Sequence, residues 1–266
     1  MADGKRIWHA TALLAEAAVS KIIFWMVYYS MLTFRAVAKV MPSVASKDVM
    51  TMSEGRVLMR QKYNVMGRLY DLLDYPWERE YRTWRPALAG DMHGDVLDMG
   101  VGTGRNLAYF PPDARVSGID LSDTMIAQAK KKCAVGGGPA TACSVIRLSV
   151  CDATDMRGAI STASIDCVLA TFIFCVLPEV MQTAAIAEIA RVLRPGGTFR
   201  LLEMVYSQDS EHRRNQERWA PFVEWMYGAK FDRKTLQHVH AQPELEVTAT
   251  RFLKGDVYLL IEGRRT

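Results

Sequence analysis

Little in this chain marks a special class, and each shortage removes an explanation. Cysteine is sparse: Cys133, Cys143, Cys151, Cys167 and Cys175 are an odd number in a 43-residue window, with no CxxC pair and no histidine at ligand spacing. That excludes a disulfide framework and a structural zinc site as the organising feature, and the five read as reduced core thiols. His238 and His240 form an HxH pair without further ligands around it; they read as solvated loop histidines, and no metal is expected. Excess charge of one sign is lacking too, since 33 Lys and Arg face 29 Asp and Glu for a net charge of +4. Residues 1–89 hold 13 basic against 8 acidic side chains, and residues 90–266 hold 20 against 21. A nucleic-acid-binding domain clusters Lys and Arg on its working face, so the near-neutral second part argues against RNA or DNA as a partner. There is no internal repeat, and no low-complexity tract beyond Gly136-Gly137-Gly138. What is present is the composition of a folded protein: 266 residues, half of them hydrophobic, 23% charged and 9% aromatic. It supports one large domain, or one domain with an extension, and excludes disorder and a polytopic membrane protein.

A long apolar run is also missing. Residues 22–34, IIFWMVYYSMLTF, are 13 positions without a charge, flanked by Lys21 and by Arg35 and Lys39, whereas a spanning helix needs about 20. If Lys21 snorkels, residues 17–34 become a marginal span. The rings of Phe24, Trp25, Tyr28, Tyr29 and Phe34 equally suit a helix lying in the membrane interface, and a buried helix packed on the globular domain stays open. Residues 1–40 are expected to be a hydrophobic membrane-anchor helix. Arg35 and Lys39 interrupt the small residues that a secretory cleavage site needs. Lys5, Arg6 and Lys21 fit a mitochondrial targeting sequence, while Asp3 and Glu16 count against one. The expected location is a membrane, mitochondrial or, alternatively, of the endoplasmic reticulum. Residues 41–55 carry Pro, Ser and Gly and read as a linker. Residues 56–266 read as the globular domain, opening over 56–90 with two lid helices at 56–74 and 77–88 that Pro76 separates.

At residues 95–107, DVLDMGVGTGRNL places a short apolar strand directly before Gly100, Gly102 and Gly104, and a helix is expected next. Glycine lets a backbone turn sharply and approach a ligand, because no Cβ intrudes and positive φ costs little. The GxGxG spacing is one residue shorter than the dinucleotide fingerprint GxGxxG. A second strand over 115–119 ends in Asp120, where a carboxylate can accept both ribose hydroxyls of an adenosine. Ser122 is placed to cap the helix that follows. A third strand, within 145–155, ends at Asp152-Ala153, where the acid either accepts from an adenine amino group or sits in a turn. A fourth, 166–170, precedes Thr171 and a helix over 178–193, which Arg194-Pro195-Gly196-Gly197 stops with glycine at its C-cap. The fifth strand is 198–205. Strands alternating with helices at this spacing argue for an α/β fold, a parallel sheet with helices on both faces and a cofactor at the carboxyl ends of its first strands.

Together VLDMGVGTGRNL, GIDLS, CDA and RVLRPGGTFRLLE, in that order across residues 90–205, resemble the class I S-adenosylmethionine-dependent methyltransferases. The resemblance implies a doubly wound, Rossmann-like, seven-stranded and mostly parallel sheet, closed by LEVTATRFL and DVYLLIEGR as antiparallel strands and preceded here by a helical extension. It implies S-adenosyl-L-methionine as cofactor, with Asp98, Gly100, Gly102 and Gly104 around the methionine part, Asp120 at the ribose, and Asp152 with Ala153 at the adenine. Thr103, Leu121 and Thr171 belong to the same implied cofactor set. GVGTGRNLAYFPP followed by VSGIDLSDTMIAQAK resembles the branch of bacterial phospholipid N-methyltransferases, ubiquinone-type methyltransferases and membrane-attached eukaryotic relatives.

Methyl transfer from a sulfonium is an in-line displacement in which proximity and orientation supply about 7–11 kcal/mol, so a dedicated base is optional. Glu203, His212 and Tyr70 are candidate bases, each with a structural reading as a strand end, a solvated helix or an apolar helix face. No catalytic residue is assigned. Trp77, Trp84, Trp219, Phe222, Trp225 and Tyr227, in the lid segments 56–88 and 206–240, read first as core packing and second as an apolar acceptor pocket. The expected activity is methyl transfer to a small amphipathic or lipid acceptor at a membrane surface or from a single span. The alternatives are an RNA or protein methyltransferase in a larger membrane or organellar complex, and a non-catalytic subunit that keeps the fold.

Overall fold

A computed structural model describes residues 15–26, 28–29, 50–134 and 145–266. Helix α1 covers 15–26 and 28–29. It is followed by α2 (Met52–Met66), α3 (Tyr70–Leu73), α4 (Tyr75–Ala89), β1 (Asp95–Met99), β2 (Arg115–Asp120), α5 (Asp123–Ala134), β3 (Val145–Val150) and β4 (Ile165–Thr171). Then come α6 (Glu179–Val192), β5 (Leu193–Met204), α7 (Ser210–Tyr227), α8 (Thr235–His240), β6 (Leu245–Phe252) and β7 (Tyr258–Arg265). These elements fall into two compact units, the described residues of 1–46 with Leu69–Thr83, and those of 47–68 with Trp84–Thr266.

The larger unit is built on a seven-stranded sheet in the order β3-β2-β1-β4-β5-β7-β6. Successive residues of a strand point to opposite faces, and here both faces are apolar. Leu97, Met99, Val168 and Ala170 join Ile186 and Ile189 of α6 in one core, while Val96, Val116 and Leu169 join Ile126 of α5 in the other. A sheet covered on both sides is what parallel strands require. β7 pairs antiparallel with both β5 and β6, so it alone runs against the rest. Of the two closing strands expected to be antiparallel, β6 therefore points the same way as the parallel ones.

The glycine loop departs from expectation. No helix follows β1; Gly100, Gly102 and Gly104 stand at φ 75°, 54° and 82°, and the chain moves on through turns closed by Gly104 N–H to Val101 O and Tyr109 N–H to Asn106 O, both 2.9 Å. Three left-handed residues within five cannot start a right-handed helix, and Pro111-Pro112 stop one from the other side. The end of α6 differs too. Its C-cap is Leu193, in extended conformation, and Arg194-Pro195-Gly196-Gly197 forms a bulge between the Ile165–Leu193 and Cys167–Thr198 pairs. Residues 52–55, expected as linker, are the first turn of α2, because Thr51 and Glu54 close a capping box there. The break between α3 and α4 falls at Asp74, and Pro76, expected to separate two helices, sits in the first turn of α4, where no N–H is needed. His238 lies on α8 rather than in a solvated loop, with Nε2 2.7 Å from Glu179 and Nδ1 3.1 Å from Thr183.

In the smaller unit Arg82 donates to Glu16 of α1 at 3.3 Å. Ser20 and Ile23 are buried, whereas Val19, Ile22, Met26 and Tyr29 are exposed. Among the described residues no helix is long and apolar enough to cross a membrane, so an anchor over 1–40 is not supported as a span. Residues 1–14, 30–40, the linker positions 41–49, Gly136–Gly138 and Cys143 lie outside the described residues.

Candidate functional site

Asp98, Asp120, Asp152 and a glycine-rich loop lie at the carboxyl ends of the first three strands. The glycine loop is fastened across β2, with Gly100 and Val101 both donating to Ile119 O at 2.9 Å. Asp120, the last residue of β2, accepts from Gly102 N–H at 3.0 Å and from Ser122 N–H at 2.8 Å. Ser122 also caps α5, its Oγ accepting from Met125 N–H at 3.2 Å. Burial raises the Asp120 carboxyl from its ordinary range to about 6, against the opposing pull of the backbone N–H groups that it accepts from.

Asp98 on β1 is wholly buried. One oxygen accepts from Asn106 Nδ2 at 3.0 Å, while the other has no hydrogen-bond partner. Asn106 also donates to Thr171 Oγ1 at 3.1 Å and accepts from the buried Arg85 at the end of α4. Burial pushes the Asp98 carboxyl up to about 7; the Asn106 hydrogen bond and the Arg85 charge oppose the shift, and the Asp120 charge adds to it. An unsatisfied buried oxygen needs an explanation. Beside it, a Cβ added to Gly102 would meet nothing nearer than Gly100 O at 4.0 Å. An open cradle and an acid lacking a donor are what a bound cofactor with hydroxyl and ammonium groups would complete.

The remaining expected site residues are placed less uniformly. Thr103 is buried and its Oγ1 takes Lys132 Nζ at 2.9 Å. Thr171 ends β4 inside the Asn106 network, and Leu121 follows Asp120 half-buried. Asp152 and buried Ala153 lie past the end of β3. Both oxygens of Asp152 are engaged, one by Thr154 N–H and Oγ1 at 2.8 Å and the other by Arg56 of α2.

That contact is one of several that lay α2 over the strand ends. Asn64 accepts from Ser122 Oγ at 2.6 Å, Arg60 donates to Asp123 at 2.7 Å, and Gly55 stands against Met181 and Pro178 at the start of α6. Lys62 Nζ donates to Glu224 O and Trp225 O at 2.8 and 2.7 Å, and Tyr63 Oη to Tyr227 O at 2.8 Å, closing the last carbonyls of α7. Of the expected lid aromatics Phe222 is core, and Trp225 is 56% exposed. Among the candidate bases, His212 is exposed beside Asp209, Tyr70 lies on α3 of the smaller unit, and Glu203 is 2% exposed with both oxygens held by backbone N–H groups. None presents an open carboxylate or imidazole to the cradle. Asn106, Arg85 and Arg56 escape sequence reasoning, because nothing in their local spacing marks them.

A doubly wound sheet in this order, with a glycine turn after β1 and an acid ending β2, defines a nucleoside-cofactor enzyme of the Rossmann-like class. The profile of a methyltransferase-domain family matches residues 96–197. The chain is 32% identical over 174 residues to phosphatidylethanolamine N-methyltransferase of Cereibacter sphaeroides, a match covering 65% of this chain and 80% of that one. It is 31% identical over 159 residues to the ubiquinone/menaquinone biosynthesis C-methyltransferase UbiE of Desulfotalea psychrophila, and 30% over 115 residues to the thiol S-methyltransferase TMT1A of Homo sapiens. Those two matches cover 57% and 43% of this chain, and 59% and 44% of the relatives' own length. Among solved structures, geranyl diphosphate C-methyltransferase from Streptomyces coelicolor superposes with a TM-score of 0.61 at 14% identity, over 82% of this chain and all of that one. The cyclase SpnF shares the fold at a TM-score of 0.54 and 18% identity, over 70% of this chain and 80% of that one, so likeness of fold alone names no reaction. The chain belongs to the class I S-adenosylmethionine-dependent methyltransferases. Its cofactor is S-adenosylmethionine, whose ribose hydroxyls and ammonium group fit the acids at the cradle.

Proposed function

We propose that this methyltransferase acts on a small amphipathic or lipid acceptor at a membrane surface, mitochondrial or of the endoplasmic reticulum. In this reading Asp120 accepts the ribose hydroxyls, the free oxygen of Asp98 receives the ammonium group, and Gly100, Gly102 and Gly104 let the backbone close around the methionine part. Asp152, Ala153 and Leu121 border the adenine, with Asp152 held in place by Arg56 and Thr154. When bound, S-adenosylmethionine supplies an electrophilic methyl group that leaves a neutral thioether behind. The protein contributes orientation and a dry pocket, with α2, seated on Asp152 and Ser122 and tied to the end of α7, as the covering element.

The observation that carries the membrane reading is the outer face of α1. Val19, Ile22, Met26 and Tyr29 recur at helical spacing and are all exposed, next to exposed Lys21, Phe24 and Trp25, while Ser20 and Ile23 are buried. An aromatic, apolar stripe with a flanking lysine suits the headgroup boundary. The relatives named above for phosphatidylethanolamine, quinone and thiol methylation support an acceptor of this kind.

The test is flotation of the full chain with phosphatidylethanolamine-containing vesicles, together with transfer of labelled methyl to phospholipid, quinol and thiol acceptors. The chain should float, label an amphipathic acceptor, and lose vesicle binding when Val19, Ile22 and Met26 are replaced by Ser, with S-adenosylhomocysteine affinity unchanged. A chain that stays in the aqueous phase and methylates only soluble protein or RNA overturns the reading.

A further inference from the structure

We infer that Glu203 is a positioning residue for the cofactor pocket: it anchors the loop after β4 so that Ile173 stands against Gly100. Glu203 lies one residue from the end of β5 and is buried. Its Oε1 accepts from Phe174 N–H at 2.9 Å and its Oε2 from Cys175 N–H at 2.7 Å. No ion pair involves it among the described residues. A buried carboxylate without a cation is unfavourable unless hydrogen bonds replace its water, and consecutive backbone N–H groups make a cavity suited to an anion. Leu201 and Leu202 precede it on the same strand, so an apolar residue would serve the core at least as well. The carboxylate answers the loop.

That loop is unusual in its own right. Phe172 has φ 59°, a left-handed conformation that a bulky side chain rarely adopts, and such outliers persist where their surroundings over-determine them. The surroundings here are Leu202 O, which accepts from Phe172 N–H at 2.8 Å, and then Glu203, which takes the N–H groups two and three residues later. Two adjacent residues of β5 thus hold both ends of the bend. Ile173 lies between them, and a Cβ at Gly100 would stand 2.9 Å from its Cδ1. Ile173 is therefore the wall against which the glycine turn rests, beside Asp98 on the end of the pocket that receives the amino-acid part of the cofactor. Releasing the loop moves that wall and leaves the adenosine end, built from β2 and β3, untouched.

This inference rests on the cofactor assignment but not on the acceptor or the membrane. Its test compares two ligands in calorimetric titrations of the full chain: S-adenosylhomocysteine, and 5′-methylthioadenosine, which keeps adenosine and thioether and lacks the amino-acid part. Glu203→Gln preserves volume but turns an amide N–H toward a backbone N–H. It should weaken S-adenosylhomocysteine about tenfold, the scale of one charge-assisted hydrogen bond, and leave methylthioadenosine within about twofold. Glu203→Asp, which keeps the charge and withdraws it by one methylene, should fall between and supplies the answer if the Gln variant fails to fold. Hydrogen exchange at residues 172–177 should quicken in both variants. Equal losses for both ligands, no loss for either, or unchanged exchange overturn the inference. Wild-type protein that binds neither ligand removes the cofactor assignment and the inference with it.

Discussion

Asp95 and Asp98 stand three residues apart on β1 and are opposites electrostatically. Asp95, at the amino end, is gripped by Arg115 at 2.8 and 2.9 Å and by Arg194 at 3.0 Å, and these guanidinium groups hold its carboxyl down at about 2. Asp98, at the carboxyl end, is buried with one oxygen unpartnered and is pushed up to about 7. Asp166 on β4 joins the first cluster through Arg194, and Asp120 on β2 joins the second. One end of the parallel sheet is thus satisfied by its own side chains and the other is left for a ligand. The same residue type is held by guanidinium groups at one end and keeps an unsatisfied oxygen at the other, and only the neighbours differ.

Substitutions sort themselves along that comparison. The largest effect is expected from Gly100→Ala, which places a Cβ at φ 75° and 2.9 Å from Ile173; circular dichroism melting should fall markedly and S-adenosylhomocysteine binding should vanish. Gly102→Ala, facing open space, should keep most of the melting temperature and still lose the ligand. If both variants melt alike, the cradle is not where the space is. Next is Asp120→Ala, which removes an acceptor of hydrogen bonds to a charged group, worth about 1.5–3 kcal/mol, or roughly ten- to a hundredfold in calorimetric affinity. Unchanged affinity would move the ribose elsewhere.

A pH series sharpens the contrast further. Asp98 and Asp120 titrate near 7 and 6 in the folded chain against 3.8 ordinarily, so the folded state holds more protons between about pH 4 and 7, and their contribution to ligand-free stability falls as pH rises through that window. In the proposed site their carboxylates receive the cofactor, so binding should strengthen over the same interval. The rise in melting temperature caused by S-adenosylhomocysteine should therefore widen from pH 5 to 8; a constant gap would show that neither acid meets the ligand. Asp95 has the reverse sign. Its stabilisation is present above about pH 4 and lost as pH falls toward 2, so Arg115→Ala should shift acid unfolding to slightly higher pH. That is the smallest effect of the set, and ligand affinity should not change.

What was legible in the sequence follows the range of the interactions involved. Gly100, Gly102, Gly104 and Asp120 are marked by spacing within a few residues of a strand end, because tight turns and strand-terminal acids are local needs. The helix expected after the glycine loop failed for a local reason as well, since three glycines taking positive φ exclude it. Arg56 reaches Asp152 across 96 positions and Glu203 reaches Phe174 across 29. No periodicity records such pairs. Arg85 lies in the segment expected as a lid helix and Asn106 in the helix expected after the glycine loop, and only the fold buries both around Asp98.

The sequence by itself determined the class of the protein, the alternation of strands with helices and the positions of its glycine turn and strand-end acids, because apolar alternation, glycine turns and acids at strand ends are short-range requirements of backbone geometry. Tertiary structure alone decided that Asp98 keeps an unsatisfied oxygen, that α2 lies over the strand ends, and that both oxygens of Glu203 are held by backbone N–H groups instead of forming an open base. Those outcomes depend on burial and on partners from distant segments, and neither desolvation nor a long-range hydrogen bond exists until the chain has folded.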